Sequence, residues 1–523
     1  MPIFPLAMAG GFDTDSGPSA SFAQDPQGYV VVPWLIDADN AVFELDGWPR
    51  KMPGAARVNT TPTGATDAVM GGVDYWRQGT SGAPAQMRVI YAGSVIYKDD
   101  ADGVWDSLST GNEAGEMPAF AIMNDNLILA TTSNTDVPRT YDQSSITNLG
   151  GTPPNFAFHV EHKDRMWAAG VIANPSRLYY SALGNPADWT GAGSGSIDFF
   201  SDDGDQLTGL ASHHDELVVF KGPNHGSLYR LIGSSPTGAE AFQVLPFVTG
   251  VGCTSHQSII RAGKDLVWWD QNGIHSLIAT ANFGDYDQAF LSRAFARYYR
   301  ESLNHTRLDF VTGVNWTNAG LALWTVSRSG ATTNNLILGL DYRFRPARAF
   351  LWPAYAAASL FIVRDGTAGR IPWAGTYTGL VLRTNQTSRN LDGTAYPYRV
   401  TCPGLTFGAD AFYDKVAGRG RVGFAPKGDT TFSVRWTRDA NTQQSASVSQ
   451  GGGATLGDSA DPFTLDTDTL GGNTFASAFF DMEGSFKELS LQLLQDDLDV
   501  DCEPHSLAVE VDPAGLGAVG TLG

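Results

Sequence analysis

The chain has 523 residues, of which 55 are acidic and 34 basic, so its formal net charge at pH 7 is −21. Charged residues make up only 17% of the sequence, whereas 59 glycines and 27 prolines accompany 11% aromatic residues. This composition disfavours long solvated helices and favours strands joined by turns. It also argues against a protein that grips nucleic acid through clustered lysines and arginines, because the sequence contains no such cluster.

The acidic excess has two interpretations that the sequence leaves open. It keeps a large protein soluble, or it forms a surface that repels the phosphates of passing DNA. The second interpretation requires DNA as a neighbour and not as a tightly held ligand.

The cysteines and the apolar segments indicate the cellular compartment in which the protein is made. Cys253, Cys402 and Cys502 are odd in number and far apart, which argues against a disulfide framework and against a CxxC zinc site. The N-terminal MPIFPLAMAGG lacks a basic region and is interrupted by prolines, so we expect no signal peptide. No apolar run of about 18 residues occurs, so we expect no membrane-spanning segment. We therefore expect synthesis in a reducing cytoplasm.

Residues 1–28 are rich in Gly, Ser, Asp and Pro and predict an extended arm, either loose or ordered against a neighbouring subunit. From residue 29 to 385, short apolar runs alternate with tight turns in a repeating pattern. The clearest unit, Arg177–Gly233, reads as strand, turn, strand, turn, strand. The other units begin near Met87, Ala119, Phe156, Ser258, Phe310 and Ala358.

Units of three or four short strands, spaced irregularly by roughly 35 to 55 residues, are typical of propeller blades. The sequence therefore predicts an all-β fold, a β-propeller of about seven irregular blades over residues 29–385. Strands near residues 30–60 are expected to complete the last blade. The alternative is one or two large β-sandwiches.

One segment has helical periodicity. Asp285–Leu303 spaces its aromatic and leucine residues at helical intervals, with Arg293, Arg297 and Arg300 together on the other side. We interpret it as a helix packed on the propeller rim with a solvated basic face; contact with an acidic partner is the alternative.

Residues 386–513 predict a separate antiparallel β-sandwich, and residues 514–523 a flexible tail. Strand 431–436 alternates cleanly, placing Phe432, Val434 and Trp436 on one face, and Leu489, Leu491 and Leu493 repeat the pattern. The Gly-, Ser- and Gln-rich residues 439–474 predict a long exposed loop.

Candidate ligands for metals are few. Carboxylates at turn spacing occur in Asp99-Asp100-Ala101-Asp102-Gly103 and in Asp202-Asp203-Gly204-Asp205, but neither stretch has the full EF-hand loop with its final Glu. His213 and His214 are adjacent, and adjacent residues of a strand point to opposite faces. We interpret all of these residues as turn residues, so no metal is expected.

Catalytic motifs are also missing from the sequence. It has no Gly-x-Ser-x-Gly elbow, no P-loop and no sialidase Ser-x-Asp-x-Gly-x-Thr-Trp turn, of which Asp102-Gly103-Val104-Trp105 is only a fragment. Trp268 and Trp269 would suit a sugar platform, but they lie inside strand patterns that favour the core. We therefore expect no enzyme, and we predict no catalytic, cofactor-binding or metal-binding residue.

The repeat unit itself carries a family resemblance. Its phrases are Tyr179-Tyr180-Ser181, Asn185-Pro186-x-x-Trp189, Ile197-Asp198, Gly204-Asp205-Gln206-Leu207-Thr208-Gly209-Leu210, Leu217–Lys221 and Leu228–Gly233. They resemble the tail nozzle or tail tube structural proteins of short-tailed bacteriophages. Weaker similarity follows Asp46-Gly47, over Arg50–Gly54, with Met52 departing from the pattern, and leads from Gly375 to Gly393 at the expected domain junction.

The resemblance implies a propeller joined to β-sandwich material and arranged as a ring, hexameric in known nozzles, around the DNA exit channel. It implies further copies of the chain, tail adaptor or portal-side proteins, and tail fibres or spikes as partners. Double-stranded DNA would pass without specific binding, and the protein would reside in the virion tail. The family has no catalytic residues. The alternatives are a carbohydrate-binding or carbohydrate-cleaving propeller for host recognition, and a generic interaction scaffold.

Overall fold

In the computed structural model, most of the regular structure is β-strand. The described residues are 3–8, 10–16, 19–20, 30–32, 34–63, 67–78, 85–100, 102–133, 135–200, 203–283, 290–366, 368–385, 387–407, 414–424, 430–439, 441, 443–450 and 476–512. They fold into two compact units. The propeller unit comprises Arg57–Leu338 and Tyr355–Thr384, and the sandwich unit comprises Met1–Ala56, Gly339–Ala354 and Asn385–Gly523.

The first strands of the chain are short. They are β1 (Ile3–Met8), β2 (Ser19–Ala20), β3 (Val30–Val32), β4 (Asp37–Asp39), β5 (Ala41–Phe43), β6 (Pro49–Lys51) and β7 (Gly54–Arg57).

The next strands form successive antiparallel blades, each running from an inner strand outward. Blades 1 and 2 contain β8 (Val69–Arg77), β9 (Ala85–Ala92), β10 (Val95–Asp99), β11 (Asp106–Ser109), β12 (Pro118–Met123), β13 (Asn126–Thr131), β14 (Arg139–Tyr141) and β15 (Ile146–Asn148). Blades 3 and 4 contain β16 (Phe158–His162), β17 (Arg165–Ala169), β18 (Arg177–Tyr180), β19 (Gly195–Asp198), β20 (Gln206–His213), β21 (Glu216–Gly222), β22 (Ser227–Ile232) and β23 (Gln243–Thr249).

The later blades are less regular. Blade 5 contains β24 (Ile260–Ala262), β25 (Asp265–Trp269) and β26 (Ile274–Ser276), followed by helices α1 (Leu277–Phe283) and α2 (Ala296–Ser302). Blade 6 contains β27 (Thr312–Trp316), β28 (Leu321–Val326) and β29 (Leu336–Asp341), after which β30 (Arg348–Trp352) belongs to the sandwich unit. Blade 7 contains β31 (Ser359–Asp365), β32 (Gly369–Gly375) and β33 (Val381–Asn385).

The blades close into a ring. The inner strands β8, β12, β16, β20, β24, β27 and β31 follow one another around a centre, and β31 packs against β8. A 3₁₀ turn, His256–Ser258, lies between β20 and β27. The predicted β-propeller of about seven blades is therefore confirmed.

The seam between blades 7 and 1 is sealed by side chains and backbone. Phe361, Val363 and Trp373 of blade 7 share one buried cluster with Val69 and Ile90 of blade 1. The Ser359 hydroxyl donates to the Val69 carbonyl at 2.6 Å. Gly72 allows this approach, because a Cβ there would lie 2.9 Å from the Phe361 ring.

The segment just ahead of blade 1 forms the outer side of blade 7. The Val58 amide donates to the Val381 carbonyl at 2.8 Å and the Thr63 amide to the Gly379 carbonyl at 3.0 Å. The Asn59 side chain accepts from the Val381 amide at 2.8 Å and donates to the Gly379 carbonyl at 3.1 Å. The start of the propeller unit thus holds its last blade.

The helical segment is shorter than the sequence predicts. Of the expected helix Asp285–Leu303, residues 285–289 lie outside the described residues, and the remainder forms a 3₁₀ turn at Arg293–Phe295 followed by α2. Leu303 ends α2 in an extended conformation. Phe295 and Tyr299 are buried, and Arg293, Arg297 and Arg300 are exposed, as expected of a solvated basic face. No helix within the described ranges has the length and apolar content needed to cross a membrane.

The sandwich unit packs two sheets face to face. One sheet has the order β3-β1-β41-β36-β39; the other runs β2-β35-β40-β34-β4-β30, with β37 and β38 added beside β40. Its remaining strands are β34 (Tyr398–Thr401), β35 (Gly404–Leu405), β36 (Lys415–Phe424), β37 (Thr430–Arg438), β38 (Gln444–Gln450), β39 (Ala476–Phe486), β40 (Leu489–Gln495) and β41 (Pro504–Asp512).

Aromatic side chains join these two sheets. The Phe424 ring meets Phe432 edge-on at 4.9 Å, and Trp436 lies 5.9 Å from Phe480. The predicted inward faces are confirmed, because Phe432, Val434 and Trp436, like Leu489, Leu491 and Leu493, are at most 5% exposed.

The division of the chain differs from the expected one at three places. Residues 29–56 group with the sandwich unit, where β4 pairs with β34 through Asp39 and Arg399, and residues 339–354 join it through the pairing of Leu351 with Asp39. Of the range near residues 30–60 that was expected to complete the last blade, the part from Val58 onward does border it. Within the expected arm 1–28, Ile3–Leu6 pair with Leu507–Glu510 of β41. Within the expected loop 439–474, Gln444–Gln450 pair with β37. Residues 451–475 and the expected tail 514–523 lie outside the described residues.

Replacement of Asn59 by Ala tests the closure of the ring. The side chain is 2% exposed, and its loss leaves the buried Val381 amide and Gly379 carbonyl without these partners. We expect a loss of about 2–3 kcal/mol in the free energy of unfolding, measured by urea denaturation with tryptophan fluorescence. Asn148→Ala, on an exposed outer strand, is the matched control, and equal urea midpoints for the two variants would contradict the role of Asn59.

Candidate functional site

The connection between blades 3 and 4 concentrates polar side chains within the stretch that carries the family resemblance. Lys221 is the second-last residue of β21, and its side chain is fully buried. Its ammonium group donates to the Phe199 and Phe200 carbonyls at 2.9 and 2.8 Å and to both Asp203 oxygens at 2.7 and 2.6 Å. Burial opposes ionisation of Asp203, but the hydrogen bonds from Lys221 and from the Asp205 amide outweigh it and lower the pKa of Asp203.

Asp205 fixes the neighbouring turn. Its carboxylate accepts the amides of Asn224, His225 and Gly226 at 2.7, 3.0 and 2.8 Å. Its backbone carbonyl accepts the Ser176 hydroxyl at 2.8 Å. Asp203 and Asp205 therefore hold two different pieces of the fold, and Asp202, the third predicted carboxylate, lies outside the described residues.

The Asn185–Trp189 turn is also held by its own side chains. The Ala187 amide donates to the Asn185 side chain at 3.0 Å, and the Trp189 indole donates to the Pro186 carbonyl at 2.8 Å. Trp189 is buried and packs on Phe156 with ring centroids 5.4 Å apart. The residues that suggested a phage family thus stabilise turns between strands.

The carboxylates of Asp99, Asp100 and Asp102 do lie near one another, with ligand atoms within 4.8 Å. Asp99 is already engaged, because one oxygen accepts from Arg88 at 2.9 Å and the other from the Gly103 amide at 3.0 Å. Asp102 accepts the Val104 amide at 2.8 Å. The group acts as a turn that ends β10.

The histidines do not converge on one site. The His213 and His214 rings are 4.3 Å apart and roughly perpendicular. Elsewhere, His159 contacts the Ile128 carbonyl at 3.1 Å, and the His256 Nδ1 accepts the Leu210 amide at 3.3 Å. These contacts belong to the packing between neighbouring blades.

The tryptophan pair and the cysteines belong to the interior. Trp268 and Trp269 are fully buried, which confirms the core interpretation over a sugar platform. Cys253, Cys402 and Cys502 are buried thiols that form no disulfide, and burial raises the pKa of each thiol to about 12.

A central cavity of about 440 Å³ lies where the inner strands converge. Its walls include Gly72, Ala119, Ala211, Ile260, Gly313 and Leu360. The Gln257 side chain of the turn before blade 5 donates to the Pro118 carbonyl of blade 2 at 2.7 Å. A cavity bridged in this way is far too narrow for a DNA duplex.

One face of the propeller is acidic. In an antiparallel blade, the connections after the second and fourth strands lie at the end where the inner strand begins. In blades 1 to 4 these connections, with the segment entering blade 1, contain no Lys or Arg. Their acidic residues include Asp67, Glu113, Glu116 and Asp136. We call this the acidic face.

A second cavity, of about 230 Å³, opens beside this face and is called the mouth cavity. Its walls include Phe158, Ile172, Pro175, Thr208 and Asp309. Thr208 lies within the Gly204–Leu210 phrase, but no sequence pattern marks it or Asp309 as a ligand-binding residue. Only Gly209, placed inside a predicted strand, is a signal for an irregularity there.

No family model matches the chain, and no curated protein matches it. Among solved structures, YCF48 bound to D1 peptide has a TM-score of 0.37 and 9% identity, covering 66% of this chain and 97% of that one. An exo-β-1,3-galactanase from Phanerochaete chrysosporium with β-1,3-galactotriose has a TM-score of 0.28 and 11% identity, covering 88% and 100%. A gluconolactonase, XC5397 from Xanthomonas campestris, has a TM-score of 0.28 and 13% identity, covering 64% and 99%. Similarities this low carry no argument about activity.

A double-mutant cycle on Lys221 and Asp203 measures how strongly the blade 3–4 connection is held. Lys221→Met removes the hydrogen bonds to the Phe199 and Phe200 carbonyls and the positive charge that balances Asp203. We therefore expect a loss of about 2–4 kcal/mol in the free energy of unfolding. We expect a coupling with Asp203→Asn of about 1 kcal/mol or more. The exposed pair Arg177–Asp198, 2.6 Å apart, serves as control and should couple much more weakly. Equal couplings would contradict a structural role specific to Lys221.

Acid should destabilise the propeller unit. Burial lowers the pKa of His159, His162 and His275 to about 4 and that of His256 to about 3. The unfolded chain takes up protons at these histidines below about pH 6.5, whereas the folded chain keeps them neutral. Their contribution to stability is therefore complete above pH 6.5 and lost as the pH falls towards 4, by about 1.4 kcal/mol per pH unit and histidine.

Urea denaturation at pH 7, 6 and 5 checks this expectation. His159→Gln should reduce the slope of unfolding free energy against pH by about one proton between pH 6 and 5. His225→Gln, at an exposed turn, is the control and should leave the slope unchanged. A wild-type stability that does not fall over this range would show that these sites do not govern the acid response.

Proposed function

We propose that this chain is a structural subunit of a bacteriophage tail, of the nozzle or hub type, that assembles into a ring around the path of the DNA. The observation that carries the proposal is the structural role of the residues in the Asn185–Trp189 and Gly204–Leu210 phrases. These phrases resemble nozzle proteins, and their polar side chains fix strand connections, with Asp205 accepting three amides and Lys221 buried beneath Asp203.

The shape of the propeller bears on where DNA passes. Because the central cavity is bridged from Gln257 to Pro118, the duplex travels outside the propeller, through a lumen bounded by several subunits. A hexameric ring, as in known nozzles, provides such a lumen. Tail adaptor or portal-side proteins and tail fibres or spikes are the further partners of this proposal, and the virion tail is its location.

Charge supports the same proposal. A surface with a net charge of −21 repels phosphates, so a moving duplex does not form contacts that must be broken again. The acidic face, free of Lys and Arg in its first four blades, suits a surface turned towards such a duplex.

Self-assembly tests the proposal. Native mass spectrometry of the full chain at increasing concentration should give one closed oligomer, without a ladder of open chains. The same protein applied to a glycan array should show no preference for any saccharide. Sugar-specific binding by a protein that stays monomeric at all concentrations would instead favour the carbohydrate-directed alternative.

DNA affinity gives a further expectation. Binding of a linear duplex, measured by fluorescence anisotropy at 50 and 200 mM salt, should be weak at both, with little loss on adding salt, because few phosphates are neutralised. A charge-reversed control with Asp67, Glu113 and Asp136 replaced by Lys should bind more tightly at 50 mM salt. Tight binding of wild-type protein with a steep salt dependence would contradict a conduit that releases DNA.

A further inference from the structure

The mouth cavity contains a polar residue that the sheet leaves unpaired. In the ladder between β20 and β21, Leu207 pairs with Lys221 and Gly209 with Phe220, so Thr208 forms a β-bulge. Bulges re-aim side chains and recur beside binding sites. The Thr208 hydroxyl lines the mouth cavity, is buried, and has no hydrogen-bond partner among the described residues.

Asp309 provides a carboxylate on the same wall. It lies in the 3₁₀ turn His305–Phe310 and lines the mouth cavity, and within the described ranges no Lys, Arg or His forms an ion pair with it. Arg307, two residues away, stacks on the Phe310 ring and donates to the Ser327 hydroxyl at 3.3 Å. The residue is exposed at the rim of the cavity, and the amides of Asp309 and Phe310 donate to its carboxylate, which retains further lone pairs.

Three further polar side chains of the wall are already engaged. Thr254 donates to the Trp269 carbonyl at 3.3 Å, Ser255 to the Val311 carbonyl at 2.9 Å and Gln257 to the Pro118 carbonyl at 2.7 Å. The remainder is largely apolar, with Phe158, Val171, Ile172 and Pro175, and Ile172 is 65% exposed. The cavity therefore offers a carboxylate and a hydroxyl beside an apolar wall.

We propose that the mouth cavity binds an alkylammonium group, with its nitrogen donating to Asp309 and Thr208 and its methylene chain against Phe158, Val171 and Ile172. An ammonium group has three donors and no acceptor, which matches the unpartnered Thr208 hydroxyl and the remaining acceptor sites of the Asp309 carboxylate. Hydrogen bonds between charged partners are the strong ones. The methylenes gain from covering Ile172, as in the packing of lysine stems.

Two sources supply this chemistry: a lysine side chain of a protein partner, or a free polyamine of the kind that neutralises DNA. A carbohydrate hydroxyl does not compensate the charge of Asp309, and an anion is repelled by it. The site is independent of the proposed tail function, because it depends only on the propeller unit.

Isothermal titration of the full chain with spermidine and with the peptide acetyl-Gly-Lys-Gly-amide, at 150 mM salt, tests the proposal. Salt at that level screens general attraction to an acidic chain. Wild-type protein should bind at least one of the two probes. Asp309→Asn should weaken that binding at least about tenfold, as the loss of a charged hydrogen-bond partner does. Asp215→Asn, the same change at an exposed turn between β20 and β21, should leave it unchanged.

Thr208→Val separates binding from folding. Removal of an unpartnered buried hydroxyl should leave the urea midpoint of the free protein unchanged or raised, because no partner is lost. The same variant should bind the probe several-fold more weakly. Binding of spermidine alone points to a free polyamine, binding of the peptide alone to a lysine side chain, and binding of both to the shared group.

Two outcomes overturn the proposal. One is no binding of either probe by wild-type protein at millimolar concentration. The other is binding that Asp309→Asn weakens no more than Asp215→Asn does, since that result reflects the overall negative charge and not this cavity.

Discussion

The closure of the ring between blades 7 and 1 is the constraint on which the propeller unit depends. Each blade buries its faces only against neighbours, so an open ring would leave two blade faces and a strand edge exposed to water. The cluster joining Val69 and Ile90 to Phe361 and Trp373 covers those faces. Val58, Asn59 and Thr63 cover the edge, which couples the start of the unit to its end.

Given that closure, the polar residues of the interior serve mainly to hold connections. Lys221 neutralises the turn before blade 4, Asp205 organises the next turn, and Arg88 is matched to Asp99. In the sandwich unit, Asp501 accepts from both Arg50 and Arg389 and ties distant parts of the chain together. The mouth cavity differs, because within the described residues the Thr208 hydroxyl has no hydrogen-bond partner and Asp309 forms no ion pair.

The sequence was a good guide where one residue pattern corresponds to one structure. The alternation of apolar and polar residues correctly predicted that Phe432, Val434 and Trp436 share a buried face. The turn residues between apolar runs correctly predicted the propeller blades. Its predictions were wrong where pairing between distant segments determines which sheet a strand joins. Short strands such as Asp37–Asp39 carry no mark of the sheet they join, and Gln444–Gln450 has the composition of a loop but pairs with residues 430–436 of β37.

The site was less predictable than the fold. A bulge at Thr208 depends on the register between β20 and β21, which no local pattern fixes. Asp309 is far from Thr208 in sequence, and only ring closure brings blades 3 to 6 around one mouth. Some carboxylates and histidines did stand out in the sequence. Of these, Asp203 stabilises a turn, and His213 does not converge with the other histidines on one site.

Imaging of virions tests the architectural account most directly. Particles produced from a genome that lacks this chain would be compared with complete particles by negative-stain electron microscopy. For the proposed nozzle subunit, we expect tails that are shortened at their distal end and heads that have lost DNA. Intact tails of normal length on DNA-filled heads would contradict it.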